Sequence, residues 1–343
     1  MADRSKIEWT DASWNPIRAR VIAIQNDGSG KQRIGWHCEH VSEGCRNCYA
    51  EGFNRRLGTG RDFKPGELYR EEKKGFNNGE VKTFLDEQML TQPLRWKKPR
   101  RIFVCSMSDL FADFVSVDMI TAVFSVMKVC PQHTFQILTK RADRMAAIVG
   151  GLSCGSDGVQ GPLPNVWLGV SAERQQEAAE RIPLLLQTPA HCRFISAEPL
   201  LGEMRLDSLW HAESKRWFNA LEGFAENCGG RKWIGKLDQV IVGGESGSKA
   251  RPMHPAWPRS LRDQCAAAGT AFLFKQWGMF APLKSALPVS KGGSLVAWPD
   301  GSIGEGRADL NGGPGEQLFK GTKDITGRLL DGVEHNEFPR VPA

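Results

Sequence analysis

Thr134-Phe135-Gln136-Ile137-Leu138-Thr139-Lys140-Arg141 is a short apolar run rich in β-branched and aromatic residues, closed by a polar end. The segment that follows, Arg141 to Val149, has the spacing of an amphipathic helix. This strand-then-helix unit recurs. Further runs of the same kind are Arg101 to Ser106, Val166 to Ser171, Arg193 to Ala197, Gln239 to Gly244 and Ala271 to Gln276. Their starts lie roughly 27 to 46 residues apart, and Val117 to Cys130, Glu173 to Leu186 and Pro255 to Ala268 supply further helical segments. Six βα-type strands, with a seventh possible at Arg33-Ile34-Gly35-Trp36, predict an α/β fold. A partial (β/α)6-type parallel barrel is favoured over an open doubly wound sheet.

Working outward, the barrel is expected over residues 1–278, with insertions at 17–37 and 206–237. The second insertion carries three tryptophans and Cys228-Gly229-Gly230. Residues 279–343, rich in Gly and Pro with weak periodicity, predict a loop-rich C-terminal extension packed on the barrel. No internal repeat or low-complexity tract is present.

No stretch approaches the roughly 18 consecutive apolar residues of a membrane helix. The start Met1-Ala2-Asp3-Arg4-Ser5-Lys6 lacks the apolar core of a signal peptide, so a cytoplasmic protein is expected. The nine cysteines are an odd number, and Cys105, Cys130 and Cys192 fall in apolar runs as reduced core thiols do, which excludes a disulfide framework. A net charge of +6 permits a polyanionic partner without requiring one. The run Arg95-Trp96-Lys97-Lys98-Pro99-Arg100-Arg101 packs five cations into seven residues and reads equally as a solvated linker or a phosphate-contacting surface.

In parallel α/β architectures the working residues collect at the carboxyl ends of the strands. Here those ends carry Ser106, Ser108 and Asp109; Thr139, Lys140 and Arg141; Ser171 and Glu173; Glu198; Gly243, Gly244 and Glu245; and Lys275 with Trp277. Each of these alone is an ordinary N-cap or turn residue. Together they predict a charged cup for a polar ligand, with the glycines letting backbone approach it closely.

Cys38, Cys45 and Cys48 lie within eleven residues in Trp36-His37-Cys38-Glu39-His40-Val41-Ser42-Glu43-Gly44-Cys45-Arg46-Asn47-Cys48-Tyr49-Ala50-Glu51. Three thiolates are one short of the four that close a structural site, which points to a metal with one open position. If His37 or His40 supplied a fourth ligand, the alternative is a zinc-stabilised nucleic-acid-binding protein without catalysis.

The cysteine spacing of six then two residues, followed by Tyr49-Ala50-Glu51, joins several strand-end motifs. These are Ser106 to Phe111, Leu138 to Arg141, Leu168 to Ser171, Ser196 to Gly202 and Val242 to Gly247. The set resembles a phage-associated and bacterial family of three-cysteine-motif proteins, itself similar to a divergent branch of the radical S-adenosylmethionine superfamily, with spore photoproduct lyase as a distant likeness. The resemblance runs from about Lys6 to Pro339. It departs from the commonest superfamily spacing of three then two, and residues 17–37 intervene where relatives run almost directly into the first cysteine.

The resemblance implies a [4Fe-4S] cluster held on three irons by Cys38, Cys45 and Cys48, with S-adenosylmethionine chelating the fourth. It also implies an external one-electron donor and a 5′-deoxyadenosyl radical that abstracts hydrogen from substrate. On this reading Ser106, Ser108 and Asp109 receive the methionine amine, Ser171 and Glu173 the ribose, and Gly243, Gly244 and Glu245 the adenine or ribose. Lys140, Arg141, Glu198, Lys275 and Trp277 face the substrate, with Lys140, Glu198 and Lys275 as catalytic candidates. Phage association, the basic run and eleven tryptophans suggest a nucleotide or nucleic-acid substrate.

Overall fold

The computed structural model describes residues 5, 7–24, 30–64, 81–154, 161–227, 229–283, 294–304 and 315–340. Lys6, Cys228 and parts of the two stretches 17–37 and 279–343 lie outside these. The chain forms two compact units, Met1–Trp167 and Leu168–Ala343. Among the described residues no helix is long and apolar enough to cross a membrane.

In the first unit the order is β1 (Ala12–Trp14), β2 (Ile17–Ile24), β3 (Gly30–Gly35), α1 (Tyr49–Leu57), β4 (Val81–Leu85) and α2 (Glu87–Leu90). There follow β5 (Arg101–Val104), α3 (Val117–Lys128), β6 (Thr134–Thr139) and α4 (Ala142–Cys154). β5 pairs in parallel with β1 and β6. The Ser116 side chain opens α3 by accepting from the Met119 amide. Trp14 packs against Phe135 with ring centroids 5.6 Å apart, joining β1 to the core between strand and helix layers.

The seventh parallel strand is therefore Ala12–Trp14, not Arg33–Trp36. Residues 30–35 instead pair antiparallel with β2, which also pairs with β4 in a separate three-stranded sheet. The reason is local: Arg33 and Ile34 are both exposed, whereas a strand inside a parallel sheet is covered on both faces. β1 has only three residues, too few to display a period of two.

β7 (Val166–Ser171) spans the division between the units, and the second unit continues with α5 (Gln175–Gln187) and β8 (Cys192–Ala197). Four short strands come next: β9 (Leu209–His211), β10 (Arg216–Asn219), β11 (Phe224–Asn227) and β12 (Gly230–Trp233). Then come β13 (Gln239–Gly243), α6 (Ala256–Ala268) and β14 (Ala271–Gln276). β9 to β12 form their own antiparallel sheet. After β14, β15 (Phe280–Pro282), β16 (Ser294–Ala297), β17 (Ile303–Gly304) and β18 (Glu316–Lys320) form another, in the order β15-β18-β16-β17.

The main sheet has seven strands in the order β1-β5-β6-β7-β8-β13-β14. Strand order follows chain order without reversal, the winding of a partial parallel barrel; a doubly wound sheet would reverse at a switch point. β7 and β13 are buried along their whole length, as strands covered on both faces must be.

In the second unit Gly169, in the middle of β7, faces the Phe194 ring so closely that a methyl group there would lie 2.6 Å from it. Gly169→Ala should cost about 1–3 kcal/mol through overpacking. A thermal melt checks this, and a Tm unchanged from wild type would contradict it.

Candidate active site

The cysteine segment leaves β3 through buried Trp36 and His37. Cys45 closes a single 3₁₀ turn, Glu43–Cys45, and Cys48 caps α1 in an extended conformation, its amide donating to the Cys45 carbonyl at 3.3 Å. Cys38 and Cys48 pack on Trp36, Ala50, Phe63 and Met107. The three sulfurs lie close enough that a thiolate on Cys45 or Cys48 raises the pKa of Cys38, and one on Cys45 raises that of Cys48. Burial is the larger cause and pushes both thiols up. Arg141 opposes this at Cys38 and Lys140 at Cys48, so the two cations after β6 favour charged sulfur.

The turns after β5 and β6 are built against this segment. Ser108 donates to the His37 carbonyl at 2.7 Å, and Tyr49 donates to the Ser106 carbonyl at 2.6 Å. Asn15 donates to the Ser106 hydroxyl at 3.1 Å and accepts from the Met107 amide at 2.9 Å. One oxygen of buried Asp109 accepts from the Phe111 amide at 2.9 Å and the Thr139 hydroxyl at 2.7 Å. The other accepts from the Lys140 amide at 3.0 Å and lies 3.4 Å from Arg141. Asp109 thus meets four groups of its own unit. Arg141 also reaches Glu39, at 3.7 Å.

Of the two histidines beside the cysteines, His40 has a polar partner, whereas the buried Nε2 of His37 has no hydrogen-bond partner among the described residues. His37 sits edge-on to Phe63 and Phe114, and burial, followed by nearby Arg141, lowers its pKa to about 4. His40 pairs with buried Glu51 at 3.4 Å, and Glu51 also accepts from the Phe63 amide at 2.8 Å. Among the described residues, no group of three or more His, Cys, Asp or Glu side chains is set to hold a metal ion as the side chains stand.

In the second unit the strand ends are also locked by ion pairs. Glu173 is fully buried 3.1 Å from Arg181, which donates as well to the Ser171 carbonyl at 2.8 Å. Glu245 accepts from the Arg251 amide at 2.7 Å and from its guanidinium at 2.7 and 3.0 Å. Lys275 donates to both oxygens of Glu198, at 2.6 and 2.8 Å. Gln276 donates to the Ser246 hydroxyl at 2.9 Å, and Trp277 is buried with its indole N–H on the Leu329 carbonyl. Gly244 has a packing reason: any Cβ there would collide with the Trp277 carbonyl. Gly243 backs onto the Glu198 carboxylate, 3.3 Å from where its Cβ would be. The basic run 95–101 leads into the amino end of β5, away from the strand end that carries Ser106, with Arg100 stacked over Trp96 and Arg101 paired with Asp11.

A family model described as a protein of unknown function, DUF5131, matches residues 33–339. The chain belongs to the DUF5131 family. No curated protein and no solved structure matches it. The DUF5131 span takes in the cysteines and all the strand-end residues above, but it begins inside β3, so Asn15 and the β1 edge lie outside it.

Sequence reasoning gave no role to Asn15, Tyr49 or Asn54. Asn54 is fully buried, accepts from the Trp36 and Thr59 amides and donates to the Arg61 carbonyl, pinning the approach to Cys38. Its signal was present: Glu51 and Asn54 are polar residues three apart on the inner face of α1. Asp109→Ala should destabilise the protein by roughly 3–5 kcal/mol, because it leaves Arg141 partly unpaired and two turns unheld. Ser106→Ala should cost about 1 kcal/mol. Urea denaturation compares them, and equal small losses would contradict the central place of Asp109.

Proposed function

We propose that this protein is a radical S-adenosylmethionine enzyme acting on a nucleotide or nucleic acid. The observation that carries the reading is the set Cys38, Cys45 and Cys48, in which charge on Cys45 is felt by both Cys38 and Cys48 and is opposed by Arg141 and Lys140, while His40 pairs with Glu51. Three sulfur donors fit three irons of a [4Fe-4S] cluster and leave one iron for a small-molecule chelate. When bound, the cluster with S-adenosylmethionine supplies reductive cleavage of the sulfonium C–S bond, an electron from an external donor yielding methionine and a 5′-deoxyadenosyl radical.

The chain's own residues do the rest. Arg141 and Lys140 offset the negative charge of the thiolates, which the buried site would otherwise disfavour. Asp109 holds Thr139, Lys140 and Arg141 in place. Ser106 and Ser108, on the turn that touches the cysteine segment, are the groups assigned to the methionine end. Lys140 is the catalytic candidate best placed beside the cysteines. Glu173 and Glu245, each neutralised by an arginine, and Glu198, neutralised by Lys275, are read as holding their own turns rigid.

Anaerobically purified protein should be brown and carry about four irons and four sulfides, all lost in the triple variant Cys38→Ala/Cys45→Ala/Cys48→Ala. Dithionite with S-adenosylmethionine should release 5′-deoxyadenosine. A colourless protein with one zinc per chain would replace this reading with a Cys3His site completed by His37 or His40.

A further inference from the structure

Seven of the eleven tryptophans are buried, the ordinary place for so large an apolar side chain. Three of the rest belong to the small sheet β9–β12, where Trp210 is 43%, Trp217 50% and Trp233 64% exposed. The register puts them on one face. Trp210 stands opposite Trp217, and Trp217 opposite Glu226; Phe224 stands opposite Trp233, two positions along the same strand as Glu226. The other face carries Leu209, Phe218 and Ala225, all buried. An antiparallel sheet with one face on a core normally turns polar residues outward. This one turns out indole rings.

The charges around that face select the occupant. Arg231 lies over the Phe224 ring at 3.7 Å and engages both Glu222, at 2.6 Å, and Glu226, at 3.2 Å. With these included, residues 209–236 hold five cations, Lys215, Arg216, Arg231, Lys232 and Lys236, against three carboxylates, Glu213, Glu222 and Glu226, a surplus of two. The register turns Arg216 and Lys232 to the opposite face, and Lys215 and Lys236 lie outside the strands, in the turn between β9 and β10 and after β12. Flat aromatic faces on neighbouring strands with a cationic surplus fit a chain of bases joined by phosphates. Strands of one sheet lie about 4.8 Å apart, so side chains on successive strands can meet successive unstacked bases. Trp210 and Trp217, with ring centroids 5.3 Å apart and planes tilted by 50°, form one such step.

We propose that the outer face of β9–β12 binds single-stranded nucleic acid, its bases stacking on Trp210, Trp217 and Trp233 and its phosphates meeting Lys215 and Lys236 beside the strands. This names a binding surface in the second unit and does not depend on the cysteines.

The test is fluorescence anisotropy of the full chain with fluorescein-labelled 12-nucleotide RNA and DNA of mixed sequence, across a salt series, with the same sequence as duplex for comparison. Saturable, salt-sensitive binding that prefers the single strand is expected. Trp217→Ala and Trp233→Ala should each weaken it roughly tenfold, whereas Trp217→Phe, which keeps a stacking face, should retain most of it. Lys215→Gln/Lys236→Gln should flatten the salt dependence, and it tests the face without touching the aromatic pair should Trp217→Ala misfold. The triple cysteine variant should bind as wild type does, which separates this proposal from the cluster reading. Absence of saturable binding by folded protein would overturn it, as would affinities indifferent to the tryptophan substitutions. A dimer dissociated by Trp217→Ala, without oligonucleotide binding, would assign the face to a second copy of the chain.

Discussion

The carboxylate of Asp109 holds together two turns that have no local reason to meet. Its oxygens accept from its own turn at Phe111 and from the turn after β6 at Thr139 and Lys140, and face Arg141. Ser108, its neighbour, reaches the His37 carbonyl and so brings in the cysteine segment. Inside a protein such bonds are strong and their loss is costly, because the groups have already given up water. The positions of Cys38, Lys140 and Arg141 relative to one another therefore rest on Asp109 and Ser108 together, with Arg141 also meeting Glu39.

The second unit repeats the device with other residues. Glu173 with Arg181, Glu245 with Arg251 and Glu198 with Lys275 are strand-end carboxylates each met by a cation of the same unit. A buried carboxylate without such a partner would be neutralised by protonation or expelled. Polar strand ends in this chain are thus scaffolding first. The cysteine segment differs: burial drives the Cys38 and Cys48 thiols toward the neutral form, while Arg141 at Cys38 and Lys140 at Cys48 pull the other way.

Much of this was legible beforehand. The runs at 134–139, 166–171 and 271–276 are strands over those very residues, and α3 and α6 begin within a residue of where apolar periodicity placed them. The three cysteines stood out by spacing alone. What escaped was whatever is too short for a period or is decided by distant partners: β1 with its three residues, the hairpin of β2 and β3 in place of a parallel strand, and Asn15 and Asn54 beneath the cysteine segment. Tryptophan content pointed one way in composition and another in space, since most indoles are core and only those of β9–β12 crowd onto an open face.

By itself the sequence determined the α/β class, the succession of parallel strands and the helices between them, because alternation and the 3.6-residue period are properties of neighbouring residues that burial then exploits. Only the tertiary structure decided which polar residues satisfy one another. Asp109 meets Thr139 thirty positions later, and Lys275 meets Glu198 across 77, so their roles follow from how the loops close, a matter of three-dimensional contact that no local pattern encodes.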